Sequence, residues 1–163
     1  MEPIETLPAD ARDMHTFFLQ ETDRGAAVLA GSYAENLLGL YLQSFMVDKS
    51  VAEKMFGAHG SLATFSQRID FAQGFGHLDA KTCADLHLVR KIRNYFAHHP
   101  KSASFTESPV KEWSATLSTG SVTATDAAFT GVAEPRLPYL LAVMNLILAF
   151  NVRTYGYGNP ESA

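Results

Sequence analysis

The chain has 163 residues, of which 47% are hydrophobic and 18% charged, a composition typical of globular domains and not of disordered segments. Its formal net charge of −4 argues against broad, non-specific affinity for nucleic acid, which requires a basic surface. Because Cys83 is the only cysteine, an intramolecular disulfide is excluded and a cysteine-based zinc site is not expected.

Apolar residues at three- to four-residue spacing predict helices in the first half of the chain. The first helix is expected from Ala9 to Glu21, and the second, long enough to be central, from Asp23 to Val47. Asp48 or Ser50 can cap a short third helix that ends at Met55-Phe56.

Two further helices follow a glycine-containing turn. Ser61 is expected to cap a fourth helix that runs to Phe75. Asp79 begins a fifth helix, which should end near His98 because Pro100 disfavours helical backbone at the residue before it.

The chain then becomes irregular, from about residue 100 to 134, with many Ser and Thr residues. Within this segment, Pro109 to Leu117 predicts a short helix, and Gly120 to Glu134 predicts a loop or weak hairpin. Pro135 begins a last helix through about Tyr155, and residues 156 to 163 are expected to form a flexible tail.

These elements predict an all-α fold, a single domain over residues 1 to 163 built as a bundle of six to seven helices, with its core within about 9 to 155. The longest apolar run, Leu137 to Val152, contains a proline and an asparagine and predicts a core helix, not a membrane span. The N-terminus lacks the features of a secretory signal, so a cytoplasmic protein is expected.

The most informative segment is Arg93-Asn94-Tyr95-Phe96-Ala97-His98, at the end of the fifth helix. On a helical wheel, Arg93 falls within the arc defined by the apolar residues Val89, Ile92 and Phe96. A guanidinium that faces a core keeps its charge and needs acceptors around its donors. The candidate partners are Glu21, Asp23, Glu35 and Asp70.

Asn94 and His98 fall on the opposite, polar stripe of the same helix, with His87, Arg90 and Lys91. The stripe is either a solvated face, or a polar cleft or dimer interface in which His98 can move protons near neutral pH. Arg93 and His98 point about 140° apart on a regular helix. They can converge only if the helix end bends or a second protomer completes the site.

The arginine and histidine separated by four residues resemble the motif of the HEPN superfamily, whose all-helical domains include dimeric, metal-independent ribonucleases. This resemblance implies a HEPN-like core and an enzymatic alternative with Arg93, Asn94 and His98 as catalytic residues. His98 would deprotonate a ribose 2′-hydroxyl, which attacks the adjacent phosphate, while Arg93 and Asn94 stabilise the developing charge.

Three longer segments resemble, in order, the mannitol-repressor (MltR) family. They are Glu21 to Val28 (ETDRGAAV), Met55 to Asp70 (MFGAHGSLATFSQRID) and Asp85 to His98 (DLHLVRKIRNYFAH), with a weaker match at Ser104-Phe105. The resemblance covers about residues 20 to 117. It implies a helical, oligomeric intracellular protein named for transcriptional repression in sugar-alcohol metabolism, without a recognised DNA-binding motif.

The leading hypothesis is therefore a regulatory or interaction protein, a homodimer or larger homo-oligomer that represses transcription through a protein partner. No helix-turn-helix with a basic recognition helix is evident, so direct DNA binding is not expected, and RNA is a partner only in the ribonuclease alternative. Neither a cofactor nor a metal is expected, because His98 and His99 diverge by about 100° and no further ligand follows at a suitable spacing.

Other polar residues are predicted to have structural roles. Asp23-Arg24-Gly25 either caps the central helix or lines a site beside Arg93. Cys83 is expected to be a buried thiol, and Trp113 and Tyr139 to serve in packing. The residues assigned to structural or ion-pair roles are Asp23, Arg24, Glu35, Arg68, Asp70 and Arg93.

Overall fold

The computed structural model describes residues 9–118, 120–123, 129, 131–132 and 135–155, and among these it has seven α-helices and no strand. The prediction of an all-α, single-domain bundle of six to seven helices is confirmed. The helices are α1 (Ala9–Gln20), α2 (Asp23–Ser44), α3 (Lys49–Phe56), α4 (Phe65–Gly74), α5 (Ala80–His98), α6 (Val110–Ala115) and α7 (Leu137–Tyr155).

Side-chain caps explain where α2 and α3 begin. The Thr22 hydroxyl accepts a hydrogen bond from the Gly25 amide at 3.1 Å and so caps α2. Asp48, one of the two expected caps of α3, accepts from the Ser50 amide at 2.9 Å. These bonds satisfy amides that have no partner within the helix.

The predicted start of α4 was wrong. Ser61 lies in a turn, and α4 begins four residues later, after Thr64. The Thr64 hydroxyl accepts from the Gln67 amide at 3.3 Å, while the Gln67 side-chain oxygen accepts from the Thr64 amide at 3.0 Å. This reciprocal capping box satisfies two backbone amides at once. Ser61 has no glutamate or glutamine three residues later that could form such a box.

The core lies where α2 packs between α5 and α7. Its buried side chains include Leu38 of α2, Ile92 of α5 and Ile147 of α7, each fully shielded from solvent. By length and composition the Leu137–Thr154 stretch of α7 could cross a membrane, but 56% of it is buried within this fold.

The three central helices approach one another closely at Gly31. A Cβ at this position would lie 2.9 Å from the Arg93 Cβ and 3.0 Å from the Tyr139 hydroxyl oxygen. That hydroxyl donates to the Ala27 carbonyl at 2.8 Å, and burial raises the pKa of Tyr139. The absence of a side chain at Gly31 therefore leaves room for the Arg93 side chain and the Tyr139 hydroxyl directly against α2.

The start of the predicted loop or hairpin is irregular and is held against two helices. The Ser118 amide donates to Asp85 of α5 at 3.1 Å. The Val122 amide donates to the Asn145 side-chain oxygen at 2.9 Å, and the Asn145 amide group donates back to the Val122 carbonyl at 3.1 Å. Most of residues 124 to 134, and the predicted tail 156 to 163, lie outside the described residues.

The Asp79 cap of α5 gives a pH-dependent prediction. Hydrogen bonds from the Thr82 amide, at 2.9 Å, and the Thr82 hydroxyl lower the pKa of Asp79. Because this pKa is depressed, the stabilisation is present above the unfolded value, about 3.9, and is lost as the pH falls through the folded pKa. We expect Asp79→Ala to lower the free energy of unfolding by about 1 kcal/mol at neutral pH.

Urea unfolding of the wild type and the variant, measured from pH 7 down to acid, tests this expectation. The difference should shrink once Asp79 is protonated. Asp79→Asn is the matched control, because an asparagine caps without titrating and should keep most of the stability at neutral pH. A deficit for Asp79→Ala that stays constant through the acid range would show that the carboxylate does not supply the stabilisation.

Candidate functional site

An ion pair between α2 and α5 holds Arg93. The Arg93 Nη1 group donates to Glu35 Oε2, and the two side chains are only 18% and 22% exposed. The guanidinium carbon lies 5.4 Å from the ring centre of Phe65, the first residue of α4. Arg93 therefore joins three helices, with its charge balanced by a carboxylate and one side shielded by an aromatic ring.

A second guanidinium, that of Arg68, contacts the backbone of Glu35. Arg68 of α4 donates through Nε to the Leu62 carbonyl at 2.9 Å and through Nη1 to the Glu35 carbonyl at 3.3 Å. Burial lowers the pKa of Arg68 and the Glu35 charge raises it, but an arginine stays protonated at neutral pH. Arg93 and Arg68 therefore both contact Glu35 of α2, Arg93 at the side-chain carboxylate and Arg68 at the backbone carbonyl.

Asn94, predicted to lie on the polar stripe with His98, forms a hydrogen bond with Arg93. Arg93 Nε donates to the Asn94 side-chain oxygen at 3.2 Å, and Asn94 is half-buried. A helical wheel describes only the direction of each Cα–Cβ bond. The long Arg93 side chain can still place its Nε within reach of the Asn94 side-chain oxygen. We call Glu35, Arg68, Arg93 and Asn94 the Glu35 cluster.

His98 lies apart from this cluster. It is the last residue of α5, it is exposed, and within the described part of the chain it has no hydrogen-bond or ion-pair partner. The helix stays regular through His98, so the bend that could bring the two residues together is not present in this chain. His99 stacks on Tyr95 with ring centres 4.1 Å apart and does not join the cluster either.

The other predicted partners of Arg93 have different contacts. Asp23 forms an ion pair with Arg136 at 3.5 Å, at the first turn of α2, which Thr22 caps. Asp70 pairs with His87 at 3.4 Å, and Glu21 is exposed, with its backbone carbonyl accepting from Arg136. None of these three acids forms a polar contact with Arg93 in the described part of the chain. Arg24, assigned a structural role beside Asp23, is exposed with no polar contact to a described residue.

Arg136 was missed by sequence reasoning. Its guanidinium donates to the Glu21 carbonyl at 2.7 Å and to the Leu19 carbonyl at 2.9 Å, in addition to its pair with Asp23. It therefore ties the α1–α2 connection to the start of α7. The only signal in the sequence is a lone arginine at the start of an apolar helix, which does not identify a partner more than 100 residues away.

The remaining candidates have the contacts of packing residues. Cys83 is buried, and burial, followed by the charges of Asp79 and Asp70, raises the pKa of its thiol. The Lys91 ammonium lies 4.0 Å from the ring centre of Trp113. Over the part of the chain that the structure describes, no three His, Cys, Asp or Glu side chains are grouped so that they could hold a metal ion.

The Glu35 cluster can hold α2, α4 and α5 together. Arg93 directs its donors toward Glu35 and Asn94, and His98 lies apart from them at the surface. Comparisons with family models, with curated proteins and with solved structures found no match.

Proposed function

We propose that this chain is a regulatory or interaction protein, similar to the mannitol-repressor family, which acts through protein partners and not through catalysis. The observation that supports the proposal is the engagement of Arg93. Its guanidinium binds Glu35 on one side and Asn94 on the other, so the cation needed for phosphate chemistry is used to hold α2 and α5 together.

The energetics of this ion pair favour a structural role. An arginine that binds a phosphate in a transition state must direct free donors toward it. To do so here, Arg93 would leave Glu35, a carboxylate with only 22% of its side chain exposed. Breaking a fully buried pair costs about 3–5 kcal/mol, since one charge is left without compensation, and this partly buried pair should cost about 2–4 kcal/mol.

The proposed mode of action is indirect repression by a cytoplasmic homo-oligomer. The net charge of −4 and the lack of a basic recognition helix in the sequence give no surface suited to the DNA backbone. Repression of transcription, in sugar-alcohol metabolism or elsewhere, would then come from contacts with another protein. No step of this proposal needs a cofactor or a metal.

A HEPN-like, metal-independent ribonuclease is the second candidate, and one observation favours it. His98 is exposed and has no partner among the described residues, so its imidazole is free to act as a base. In this reading Arg93 and Asn94 would bind the phosphate after rearrangement of the Glu35 cluster. The products would be a cyclic phosphate and a free 5′-hydroxyl end.

An RNA cleavage assay separates the two candidates. Purified wild type, His98→Ala and His99→Ala are incubated with mixed RNA in the presence of a chelator. We expect no cleavage by any of them, with circular dichroism confirming that all three are folded. His99→Ala is the matched control, because His99 is an exposed neighbour whose ring stacks on Tyr95. Cleavage that His98→Ala loses and His99→Ala keeps would overturn the proposal and establish the ribonuclease.

A further inference from the structure

A surface cavity lies between α6 and the start of α7. Its volume is about 340 Å³, at the lower end of the range for cavities that bind small molecules. The described residues that line it are Thr106, Lys111, Ser114, Ala115, Pro135 and Pro138. The two prolines, the alanine, and the methyl and methylene groups of the threonine and the lysine give the cavity a mainly apolar wall. Such a wall suits the apolar body of a ligand.

Core residues fix the walls of this cavity. Phe105 and Val110, which directly precede Thr106 and Lys111 in the chain, are fully buried. The Phe105 ring centre lies 5.5 Å from that of Tyr139, near the start of α7. These contacts hold α6 and the segment before it against α7. The cavity is therefore formed before a ligand binds, and binding needs little rearrangement.

Ser114 supplies the first of two polar groups at this cavity that lack a partner. The residue is only 2% exposed, and its side-chain oxygen is shielded from solvent and forms no hydrogen bond within the described part of the chain. Buried polar groups without a partner are rare, because each one costs free energy. Since Ser114 lines the cavity, an acceptor atom placed there can satisfy its hydroxyl.

Lys111 supplies the second group. It is the one charged side chain among the described lining residues, and its ammonium has no ion pair or hydrogen bond with a described residue. Lys111 and Ser114 are three residues apart, so their side chains lie on the same side of α6. The Thr106 hydroxyl is already bonded to the Ser104 hydroxyl at 2.7 Å. The cavity therefore offers one positive charge and one unpaired hydroxyl.

These groups match a carboxylate on an apolar body. A carboxylate accepts hydrogen bonds and balances the charge of Lys111. A sugar alcohol matches less well, because its many hydroxyls need more polar partners than the cavity holds. A phosphate monoester carries nearly two charges and would meet only one lysine. The chemistry of the cavity therefore selects a small organic acid with one negative charge.

We propose that the cavity between α6 and α7 binds a small monocarboxylic acid. The carboxylate pairs with Lys111 and accepts a hydrogen bond from the Ser114 hydroxyl, while the apolar chain lies against Pro135 and Pro138. This inference goes beyond the proposed function, which involves no small ligand. Neither depends on the other, so failure of the binding test would leave the proposed function as it stands.

NMR spectroscopy of the full, isotope-labelled chain tests the site, with hexanoate as the probe. We expect hexanoate at millimolar concentration to give saturable shifts of the backbone amide signals of Thr106, Lys111, Ser114 and Ala115. Hexanol has the same chain without the charge and should bind about tenfold more weakly, because it cannot form the charge-assisted bond. Hexylammonium, which Lys111 repels, and mannitol should give no saturable shifts.

Three variants place the binding within the cavity. Lys111→Met keeps an unbranched side chain without the charge and should raise the Kd of hexanoate about tenfold. Ser114→Ala should raise the Kd about fivefold, and it should leave the unliganded protein at least as stable as wild type because it removes an unpaired hydroxyl. Ala115→Phe, at an exposed position, should fill the cavity and abolish binding. Lys54→Met, which removes an exposed lysine of α3, is the matched control and should bind like wild type.

The site is incorrect if hexanoate gives no saturable shifts, or if hexanol or mannitol binds as tightly. It is also incorrect if Lys111→Met and Ala115→Phe bind hexanoate like wild type. Shifts confined to amides far from α6 would place the binding elsewhere and would overturn the inference as well. Because Lys111 and Ala115 are exposed, these variants should fold, which circular dichroism checks.

Discussion

Replacing Glu35 with alanine is expected to lower the free energy of unfolding by about 2–4 kcal/mol. The substitution leaves the Arg93 guanidinium with Asn94 as its only polar partner among the described residues, in a site where only 18% of its side chain is exposed. It also removes the carboxylate charge that favours the protonated form of Arg68, whose guanidinium donates to the Glu35 backbone carbonyl. Both effects destabilise the junction of α2, α4 and α5.

Urea unfolding monitored by circular dichroism measures this loss. Glu35→Gln should cost less than Glu35→Ala, because the amide oxygen can still accept a hydrogen bond from Arg93. Glu53→Ala is the matched control. Glu53 is an exposed helical glutamate of α3, and its removal should change the stability by no more than about 0.5 kcal/mol. An equally small effect at Glu35 would contradict a structural role for the pair.

Gly31→Ala is expected to lower the free energy of unfolding by about 1–3 kcal/mol. An alanine normally stabilises a helix by about 1 kcal/mol relative to glycine. Here the added methyl would lie 2.9 Å from the Arg93 Cβ and 3.0 Å from the Tyr139 hydroxyl oxygen, so α5 and α7 must move away from α2. That movement disturbs the packing of α2 against α5 and α7, and its cost exceeds the gain in helix propensity.

The control for this substitution is Gly74→Ala. Gly74 is also helical, but a Cβ there meets no atom within 4 Å, so the helix propensity acts without a steric penalty. Thermal unfolding should give a lower Tm for Gly31→Ala and an unchanged or slightly higher Tm for Gly74→Ala. If Gly31→Ala instead raised the Tm, the close approach of the three helices would be incorrect.

Much of the fold could be predicted from local signals in the sequence. The long helices α2, α5 and α7 follow from apolar periodicity, and the caps Asp48 and Asp79 follow from residue type and position. The start of α4 was misplaced because Ser61 is an acceptable cap by residue type, whereas the local signal for Thr64 is Gln67 three residues later, which completes the capping box. Long-range bonds such as Asp85 to Ser118 have no local signal.

The candidate site was only partly predictable, for a related reason. The helical wheel placed Arg93 toward the core, and Glu35 was one of four acids that could meet it. Which of those acids meets Arg93 depends on how α2 packs against α5. Gly31 permits their close approach, and apolar periodicity does not describe it. The hydrogen bond between Arg93 and Asn94 depends on side-chain conformation, which a helical wheel does not describe.

A double-mutant cycle at Glu35 and Arg93 tests the structural role of Arg93 most directly. Glu35→Leu and Arg93→Met each leave one charge without its partner, whereas the double variant replaces the pair with apolar side chains of similar size, which is often neutral or stabilising. We expect both single variants to be destabilised, and the double variant to unfold within about 1 kcal/mol of wild type. Single-variant losses that add to within about 0.5 kcal/mol in the double variant would contradict the ion pair and leave Arg93 free for another role.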